Sequence, residues 1–175
     1  IVVYVSDNGW TQNAEYPDAS GAGGGPRGKR SAYDGGIRTP IMVRWPGKLQ
    51  ARRDETNLAS SIDLVPTILA ACGVAPKNLP GLSLLDENAV AARKTLFGEN
   101  FTHDIADLNR PAASLTNRWI IDNEWKLIVP AGQDEPPELY EIAKDPAESK
   151  NLAAGRKDLV EQLTAKLDAW WKPEP

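Results

Sequence analysis

The sequence is poor in residues that cross-link a chain or bind a metal through sulfur or imidazole, since its 175 residues include one cysteine and one histidine. A lone cysteine forms no disulfide within the chain, and Cys72 lies in an apolar stretch, so we expect it to be a small buried residue. No apolar run is long enough to cross a bilayer. The net charge of -4 disfavours binding to a polyanion. We therefore expect neither a membrane nor a nucleic acid as partner.

The chain begins with an uninterrupted apolar run. Residues 1–5 are β-branched or aromatic, which favours a strand buried on both faces of a parallel sheet. Such a strand needs neighbours that arrive through crossover connections. We therefore expect that segments upstream of Ile1 belong to the same domain.

The first half of the chain has the pattern of an α/β domain. After a loop over residues 9–39 that is rich in glycine and polar residues, residues 40–45 predict a second buried strand. A serine cap predicts a helix that starts near Asp63 and ends before Gly73. One face of this helix is apolar, with Ile62, Val65, Ile68 and Leu69. We interpret residues 1–94 as the C-terminal part of an α/β domain.

The second half has a different periodicity. Strands are predicted over residues 95–101, 114–121, 124–129 and 138–142, the last at an edge. Asp122 and Asn123 predict a tight hairpin turn between two of these strands. Residues 155–171 have the period of an amphipathic helix. We interpret residues 95–175 as a small antiparallel sheet with a C-terminal helix, so the fold class of the whole chain is α/β.

Asp7 and Asn8 follow the first strand directly. Ligand sites in α/β sheets gather beyond the carboxyl ends of the strands. A carboxylate and an amide carbonyl are hard oxygen donors of the kind that Ca²⁺ or Mg²⁺ selects. The alternative is that Asp7, Asn8 and Gly9 form only a turn, in which the side chains cap the backbone.

The glycine-rich stretch over residues 23–30 comes close to a phosphate-binding P-loop. Arg30 stands where that motif needs serine or threonine, and the preceding strand ends far upstream. Pro26 also interrupts the row of backbone N–H groups that would surround a phosphate. We therefore do not expect nucleotide binding.

Five motifs in register resemble the sulfatase family. The family has Ser-Asp-Asn-Gly at a strand end, followed by Gly-Lys-x-x-x-Tyr-(Asp/Glu)-Gly-Gly-x-Arg-x-Pro and then by Trp-Pro-Gly. An Asp-x-x-Pro-Thr helix comes next. The last motif is a C-terminal signature with Leu-Tyr and Asp-Pro-x-Glu. The matching segments in this chain are residues 6–9, 28–40, 45–47, 63–67 and 139–152. Together they extend over essentially the whole chain.

This resemblance implies an alkaline-phosphatase-like α/β domain followed by a small C-terminal subdomain. It implies that Asp7 and Asn8 are two of the metal ligands, usually for Ca²⁺ or else for Mg²⁺. It also implies that Lys29 is a catalytic and substrate-binding residue that contacts the sulfate group. A divalent cation and a fixed ammonium would stabilise the charge that builds up when a sulfate ester is attacked.

Other candidate residues have weaker support. Tyr33, Asp34 and Arg38 match the family motif, but we interpret them as loop architecture and expect Arg38 to pair with a carboxylate. His103 follows the strand over residues 95–101, where an imidazole can bind a substrate oxygen. A purely structural role for His103 is an equally open alternative.

The family's nucleophile is a formylglycine made from the first residue of a Cys/Ser-x-Pro-x-Arg motif, which this sequence lacks. Cys72 is followed by Gly-Val-Ala and does not fit that role. We expect the formylglycine and the remaining metal ligands upstream of this chain, because two oxygen ligands are too few for Ca²⁺, which takes about 6–8. The chain is therefore expected to be the C-terminal part of a sulfuric ester hydrolase that is inactive alone.

Two alternatives remain open. A phosphonate or phosphodiester hydrolase of the same superfamily would share the metal and lysine motifs, and a non-catalytic binding or scaffold module would need neither. The expected partner is a small sulfate ester or a sulfated glycan, and exposed strand edges predict self-association. The resemblance also favours an extracytoplasmic location, periplasmic or secreted.

Overall fold

The computed structural model describes residues 1–10, 26–75, 77–132 and 134–173. The strands are β1 Val2–Val5, β2 Ile41–Arg44, β3 Thr95–Phe101, β4 Leu115–Asp122, β5 Trp125–Pro130 and β6 Glu138–Glu141. The α-helices are α1 Asp34–Ile37, α2 Leu64–Ala71, α3 Glu87–Ala92 and α4 Lys157–Trp170. The chain forms two compact units: unit 1 is Ile1–Ser6 with Pro40–Leu96, and unit 2 is Asp7–Thr39 with Phe97–Pro175. None of the helices in the described ranges is long and apolar enough to span a bilayer.

The sheet of unit 1 consists of β1 and β2, which run antiparallel with Val3 opposite Val43. Exposure alternates along both strands, and Val2 and Tyr4 are 60% and 55% exposed. The prediction of a parallel strand buried on both faces is therefore wrong within the described residues. Since β1 has one neighbouring strand there, its β-branched residues supply strand propensity without complete burial.

The predicted helix of unit 1 is present with the expected ends. A short 3-10 turn, Ser61–Asp63, leads into α2, and the Ser60 N–H donates to Asp63 Oδ2 at 2.8 Å. Gly73 follows the helix with a φ of +71°, a left-handed conformation that costs glycine little. The start near Asp63 and the terminating glycine are thus confirmed, whereas the first residue of α2 receives no side-chain cap.

The buried side of α2 is not the apolar face that the sequence predicts. Large apolar side chains are exposed at Ile62, Val65 and Ile68. The buried side instead presents Thr67, whose Oγ1 accepts the Leu84 N–H at 2.8 Å. Cys72 is exposed as well, so the expectation of a buried cysteine is wrong. Within this chain, polar contacts therefore lie on the covered side of α2.

The strongest of these contacts is the ion pair between Asp63 and Arg93. The Asp63 side chain is fully buried, and the Arg93 guanidinium donates to both of its oxygens at 2.6 and 2.7 Å. The Leu82 N–H donates to Asp63 Oδ1 at 2.9 Å. Burial acts to raise the pKa of Asp63, but the guanidinium and the backbone donors hold that pKa below its usual range. Asp63 therefore stays ionised and joins three segments of unit 1.

The main sheet has the strand order β3-β4-β5-β6, and β5 runs antiparallel to both β4 and β6. Asp122 pairs with Trp125 across a two-residue turn, in which Asn123 has a φ of +53°. The predicted antiparallel pairing, the hairpin turn, the edge strand and the C-terminal helix are confirmed. The domain boundary after residue 94 stays a prediction, because contacts define compact units and not folding domains.

One face of this sheet packs on α4. Leu163 and Leu167 of the helix contact Ile120, Leu127 and Leu139, all of them buried. Two ion pairs flank this contact: Arg118 pairs with Asp168 at 2.8 Å and Lys166 with Asp122 at 2.5 Å. The apolar stripe of α4 thus covers the sheet as its periodicity predicts.

The opposite face of the sheet packs on residues 26–38, which we call the Lys29 segment. Ala32 is buried here against Ile128 and Tyr140, with Tyr33 and Trp119 at the margin. A sheet in contact on both faces was not predicted, because the Lys29 segment has the composition of a solvated loop. Unit 2 consequently unites the glycine-rich motif with the C-terminal sheet.

Candidate functional site

Asp7 and Asn8 form a turn directly after β1. Asp7 is exposed and Asn8 is half-buried. The Asn8 Nδ2 donates to the Gly9 carbonyl at 2.8 Å, which orients the amide of this side chain. Two consecutive residues of this turn therefore bear hard oxygen donors, one carboxylate and one amide carbonyl.

Backbone hydrogen bonds join this turn to the Lys29 segment. The Gly9 N–H donates to the Gly36 carbonyl at 3.0 Å and the Trp10 N–H to the Gly35 carbonyl at 2.6 Å. The Lys29 N–H in turn donates to the Trp10 carbonyl at 2.9 Å. The two residues after Asn8 thus bond both to α1 and to Lys29 itself. The structure brings together the segments that contain the predicted metal ligands and the predicted catalytic lysine.

Lys29 lies on a tight turn within its segment. Ser31 closes the turn, since its N–H and its Oγ both donate to the Gly28 carbonyl, at 3.0 and 2.7 Å. Arg30 has a φ of +75°, which this turn requires. The Lys29 side chain is half-buried, whereas Arg30 is exposed. The turn fixes the backbone of Lys29, from which the side chain presents a compact point charge.

Close backbone approach explains the glycines of the motif. A Cβ atom added to Gly36 would lie 2.4 Å from the carbonyl oxygens of Gly28 and Ser31, and one added to Gly9 would lie 2.4 Å from the Gly35 oxygen. These neighbours are backbone atoms that cannot rotate away. The segments therefore approach each other only where side chains are absent.

We expect Gly36→Ala to lower the free energy of unfolding by about 1–3 kcal/mol, because the new methyl group forces backbone atoms apart. Gly132→Ala is the matched control, since nothing lies within 4 Å of a Cβ at that position. Urea unfolding followed by tryptophan fluorescence measures both variants. Equal stability of the two variants would contradict the close approach.

A buried ion cluster attaches the Lys29 segment to the sheet. The Lys126 side chain is fully buried, and its Nζ lies 3.0 Å from Asp34 Oδ1 and 2.8 Å from Glu148 Oε1. The Asp34 N–H donates to Glu148 Oε2 at 2.6 Å. The Arg27 guanidinium donates to the carbonyls of Glu148, at 2.5 Å, and Ala147, at 3.0 Å. Charge pairs thus connect the start of α1 to the sheet.

Two phenols strengthen the same attachment. The hydroxyls of Tyr33 and Tyr140 both donate to the Glu138 carboxylate, that of Tyr33 at 2.8–2.9 Å. Burial, and then the carboxylate, raise the pKa of both phenols. They therefore remain protonated donors and do not act as bases. This supports the interpretation of Tyr33 as loop architecture.

Sequence reasoning anticipated part of this cluster. Asp34 was expected to be architectural, and Arg38 lies 3.7 Å from its carboxylate, which confirms the expected pairing. Lys126 and Glu148 were missed. A signal was present, since Lys126 interrupts the apolar run of β5 and Glu148 belongs to the C-terminal signature.

His103 lies on the loop after β3 and is exposed. Two hydrogen bonds of Thr102 fix the loop next to His103. The Thr102 N–H donates to the Ser114 carbonyl at 2.8 Å, and the Thr102 Oγ1 donates to the Asp104 carbonyl at 2.8 Å. Within the described ranges, the structure joins the His103 side chain to neither the Asp7–Asn8 turn nor the Lys29 segment. Its role in binding stays a prediction.

The predicted metal ligands, Asp7 and Asn8, supply fewer donors than a complete metal site needs. In the part of the chain that the structure describes, no group of three or more histidine, cysteine, aspartate or glutamate residues is placed to hold a metal ion. Asp7 and Asn8 fit a hard cation by their chemistry but supply two donor side chains, against the roughly 6–8 oxygens that Ca²⁺ takes. They fit as part of a larger ligand set.

A family profile and curated relatives define the class of this chain. The profile described as N-sulphoglucosamine sulphohydrolase, C-terminal, matches residues 25–172, so the chain belongs to this sulfatase family. N-acetylgalactosamine-6-O-sulfatase of Bacteroides thetaiotaomicron is 26% identical over 97% of this chain and 36% of its own length. Arylsulfatase K of Mus musculus is 28% identical over 95% of this chain and 29% of its own length. The chain thus spans about a third of the length of these relatives.

Solved structures show the same fold. A protein in complex with its substrate D-glucosamine-2-N,6-O-disulfate matches with a TM-score of 0.69 at 23% identity, over 95% of this chain and 33% of that one. Phosphonate monoester hydrolase of Agrobacterium radiobacter matches with a TM-score of 0.59 at 28% identity, over 79% of this chain and 30% of that one. The predicted fold, the C-terminal part of an alkaline-phosphatase-like enzyme, is confirmed.

Proposed function

We propose that the whole protein hydrolyses sulfate monoesters and that this chain contributes Asp7, Asn8 and Lys29 to the site. The observation that supports this most directly is the pair of backbone contacts through Gly9 and Trp10, which hold the Asp7–Asn8 turn beside Lys29. Family membership supplies the reaction class.

Each residue has a defined task in this proposal. The Lys29 ammonium donates hydrogen bonds to the sulfate group and stabilises the charge that develops on its oxygens during attack at sulfur. Asp7 and Asn8 would hold Ca²⁺ or Mg²⁺ together with ligands from upstream. When bound, the cation supplies Lewis-acid stabilisation of the same oxygens. The formylglycine nucleophile is expected upstream, so the chain alone is proposed to be inactive.

Sulfated sugars are the proposed substrate class. One relative is named for a sulfated amino sugar, and one structural neighbour was solved with D-glucosamine-2-N,6-O-disulfate. His103 is proposed to bind a substrate oxygen, because an exposed imidazole can donate or accept a hydrogen bond near neutral pH. Selectivity within this class would depend on pocket walls from loops upstream and from the C-terminal subdomain.

The reaction class is tested with paired esters. We expect the whole protein to release nitrocatechol from 4-nitrocatechol sulfate faster than it cleaves a phenyl phosphonate monoester, and the 175-residue chain to release none. The reverse preference would support the phosphonate alternative, which the Agrobacterium radiobacter neighbour favours by its fold. Sulfate release by the chain alone would contradict its inactivity.

Three further expectations are proposals of the same kind. If the chain is instead a non-catalytic module, it should bind a sulfated glycan equally well after Asp7→Ala or Lys29→Ala. An extracytoplasmic location would require a signal peptide upstream in the reading frame. Self-association is supported by exposed apolar side chains of unit 1, such as Val2, Tyr4 and Met42, and light scattering would test it.

A further inference from the structure

Lys126 is a charged residue in an unusual place. Its side chain is fully buried in β5, where Ile128 and Tyr140 belong to the core on the same face of the sheet. A buried ammonium is retained only when it is paired. Both of its partners come from outside β5: Asp34 from the Lys29 segment, at 3.0 Å, and Glu148 from the loop after β6, at 2.8 Å.

Glu148 connects Lys126 to the backbone of Asp34. One of its oxygens binds Lys126, and the other accepts the Asp34 N–H at 2.6 Å. The first residue of α1 is thus held twice, through its side chain and through its backbone. Because Glu148 is buried as well, no water shell competes for these bonds.

Asp34 is adjacent in the chain to the residues that bond the candidate site. Gly35 and Gly36 follow Asp34 in α1, and their carbonyls accept the N–H groups of Trp10 and Gly9. The Trp10 carbonyl in turn accepts the Lys29 N–H. A shift of α1 therefore displaces both the Asp7–Asn8 turn and Lys29.

We propose that Lys126 and Glu148 are positioning residues, which hold α1 through Asp34 and thereby fix the Lys29 ammonium relative to the Asp7–Asn8 turn. This proposal rests on the proposed sulfate-ester hydrolysis. It gives the C-terminal sheet a role in the reaction, although neither residue touches the substrate.

The first test measures the segment itself by hydrogen exchange with mass spectrometry on the 175-residue chain. We expect Lys126→Met to accelerate exchange about tenfold in peptides that contain Gly9, Trp10 and Lys29, with α4 unchanged. Lys166→Met removes a more exposed lysine–aspartate pair on the α4 side and should leave these peptides unchanged. Unchanged exchange in Lys126→Met would overturn the proposal.

The second test separates positioning from stability in the whole protein. We expect Lys126→Met to lower kcat by about 10- to 100-fold and to raise KM for 4-nitrocatechol sulfate, because misplacement of Lys29 weakens both binding and the transition state. Leu163→Ala destabilises unit 2 from the opposite face of the sheet. That control reduces the amount of folded enzyme, so it should lower the apparent kcat with KM unchanged.

A double-mutant cycle completes the test. If Lys126 acts through Lys29, then Lys126→Met should add little loss of kcat once Lys29→Ala is present. Full additivity would overturn the positioning role. If the unchanged whole protein releases no sulfate while exchange still accelerates in Lys126→Met, the proposed function fails and not the attachment of the segment.

Discussion

Lys29→Ala is expected to lower kcat of the whole protein for a sulfate ester by about 100- to 1,000-fold, the usual loss when one donor to a developing oxyanion is removed. Lys29 lies on a closed turn, half-buried, and its backbone bonds to Trp10 beside the Asp7–Asn8 turn. The backbone of Lys29 is therefore fixed, and its ammonium is proposed to bind the sulfate oxygens from this turn. Steady-state kinetics with 4-nitrocatechol sulfate measures the effect.

Arg30→Ala is the matched control for this prediction. Arg30 is the next residue, has the same charge and is exposed, so its removal changes the net charge equally without removing the proposed sulfate contact. We expect its kcat to stay within about twofold of the unchanged protein, as surface substitutions away from such sites have small effects. Equal losses in both variants would indicate a general electrostatic effect and contradict the specific role of Lys29.

Arg93→Met is expected to lower the free energy of unfolding by about 3–5 kcal/mol, because it leaves the fully buried Asp63 carboxylate without its cation. Asp63 also receives N–H groups from Leu82 and Ser60, so its displacement loosens three segments of unit 1. Urea unfolding followed by circular dichroism measures the change. Arg52→Met is the control, since Arg52 and its partner Glu87 are 55% and 68% exposed. Such a surface pair contributes about 0–1 kcal/mol.

The same ion pair predicts a dependence on pH. The pKa of Asp63 lies below its usual range in the folded chain, so its contribution to stability is present above the unfolded pKa of about 3.9 and is lost as the pH falls through the folded pKa. The difference in unfolding free energy between the unchanged chain and Asp63→Asn should therefore shrink as the solution is acidified below about pH 4. A constant difference down to about pH 2 would show that folding does not lower the pKa of Asp63.

Local sequence patterns predicted the elements of the second half well. The hairpin between β4 and β5 follows from alternating side chains and the turn at Asn123, and α4 follows from its 3.6-residue period. These features depend on neighbours a few residues apart, so one sequence suffices to find them. The same holds for the Asp7–Asn8 turn and for the glycine that ends α2.

Patterns of hydrophobicity did not predict which side of α2 is covered within this chain. Asp63 and Thr67 bond the backbone of residues 82–84 on the covered side, while the apolar face and Cys72 are exposed. The ion pair of Asp63 with Arg93 joins residues 30 positions apart, so no local pattern shows it.

By itself, the sequence determined the order of the strands and of α2 and α4, the sulfatase motifs and the identity of Asp7, Asn8 and Lys29 as candidates, because each is encoded within a short stretch. The short helices α1 and α3 were not predicted. Only the tertiary structure decided that the Lys29 segment lies on the C-terminal sheet. The contact that holds it joins Lys126 to Asp34, which is 92 residues away in the chain. No local pattern specifies such a partner, because a lysine in a strand can face solvent or a buried carboxylate, and the choice depends on which segments fold against it.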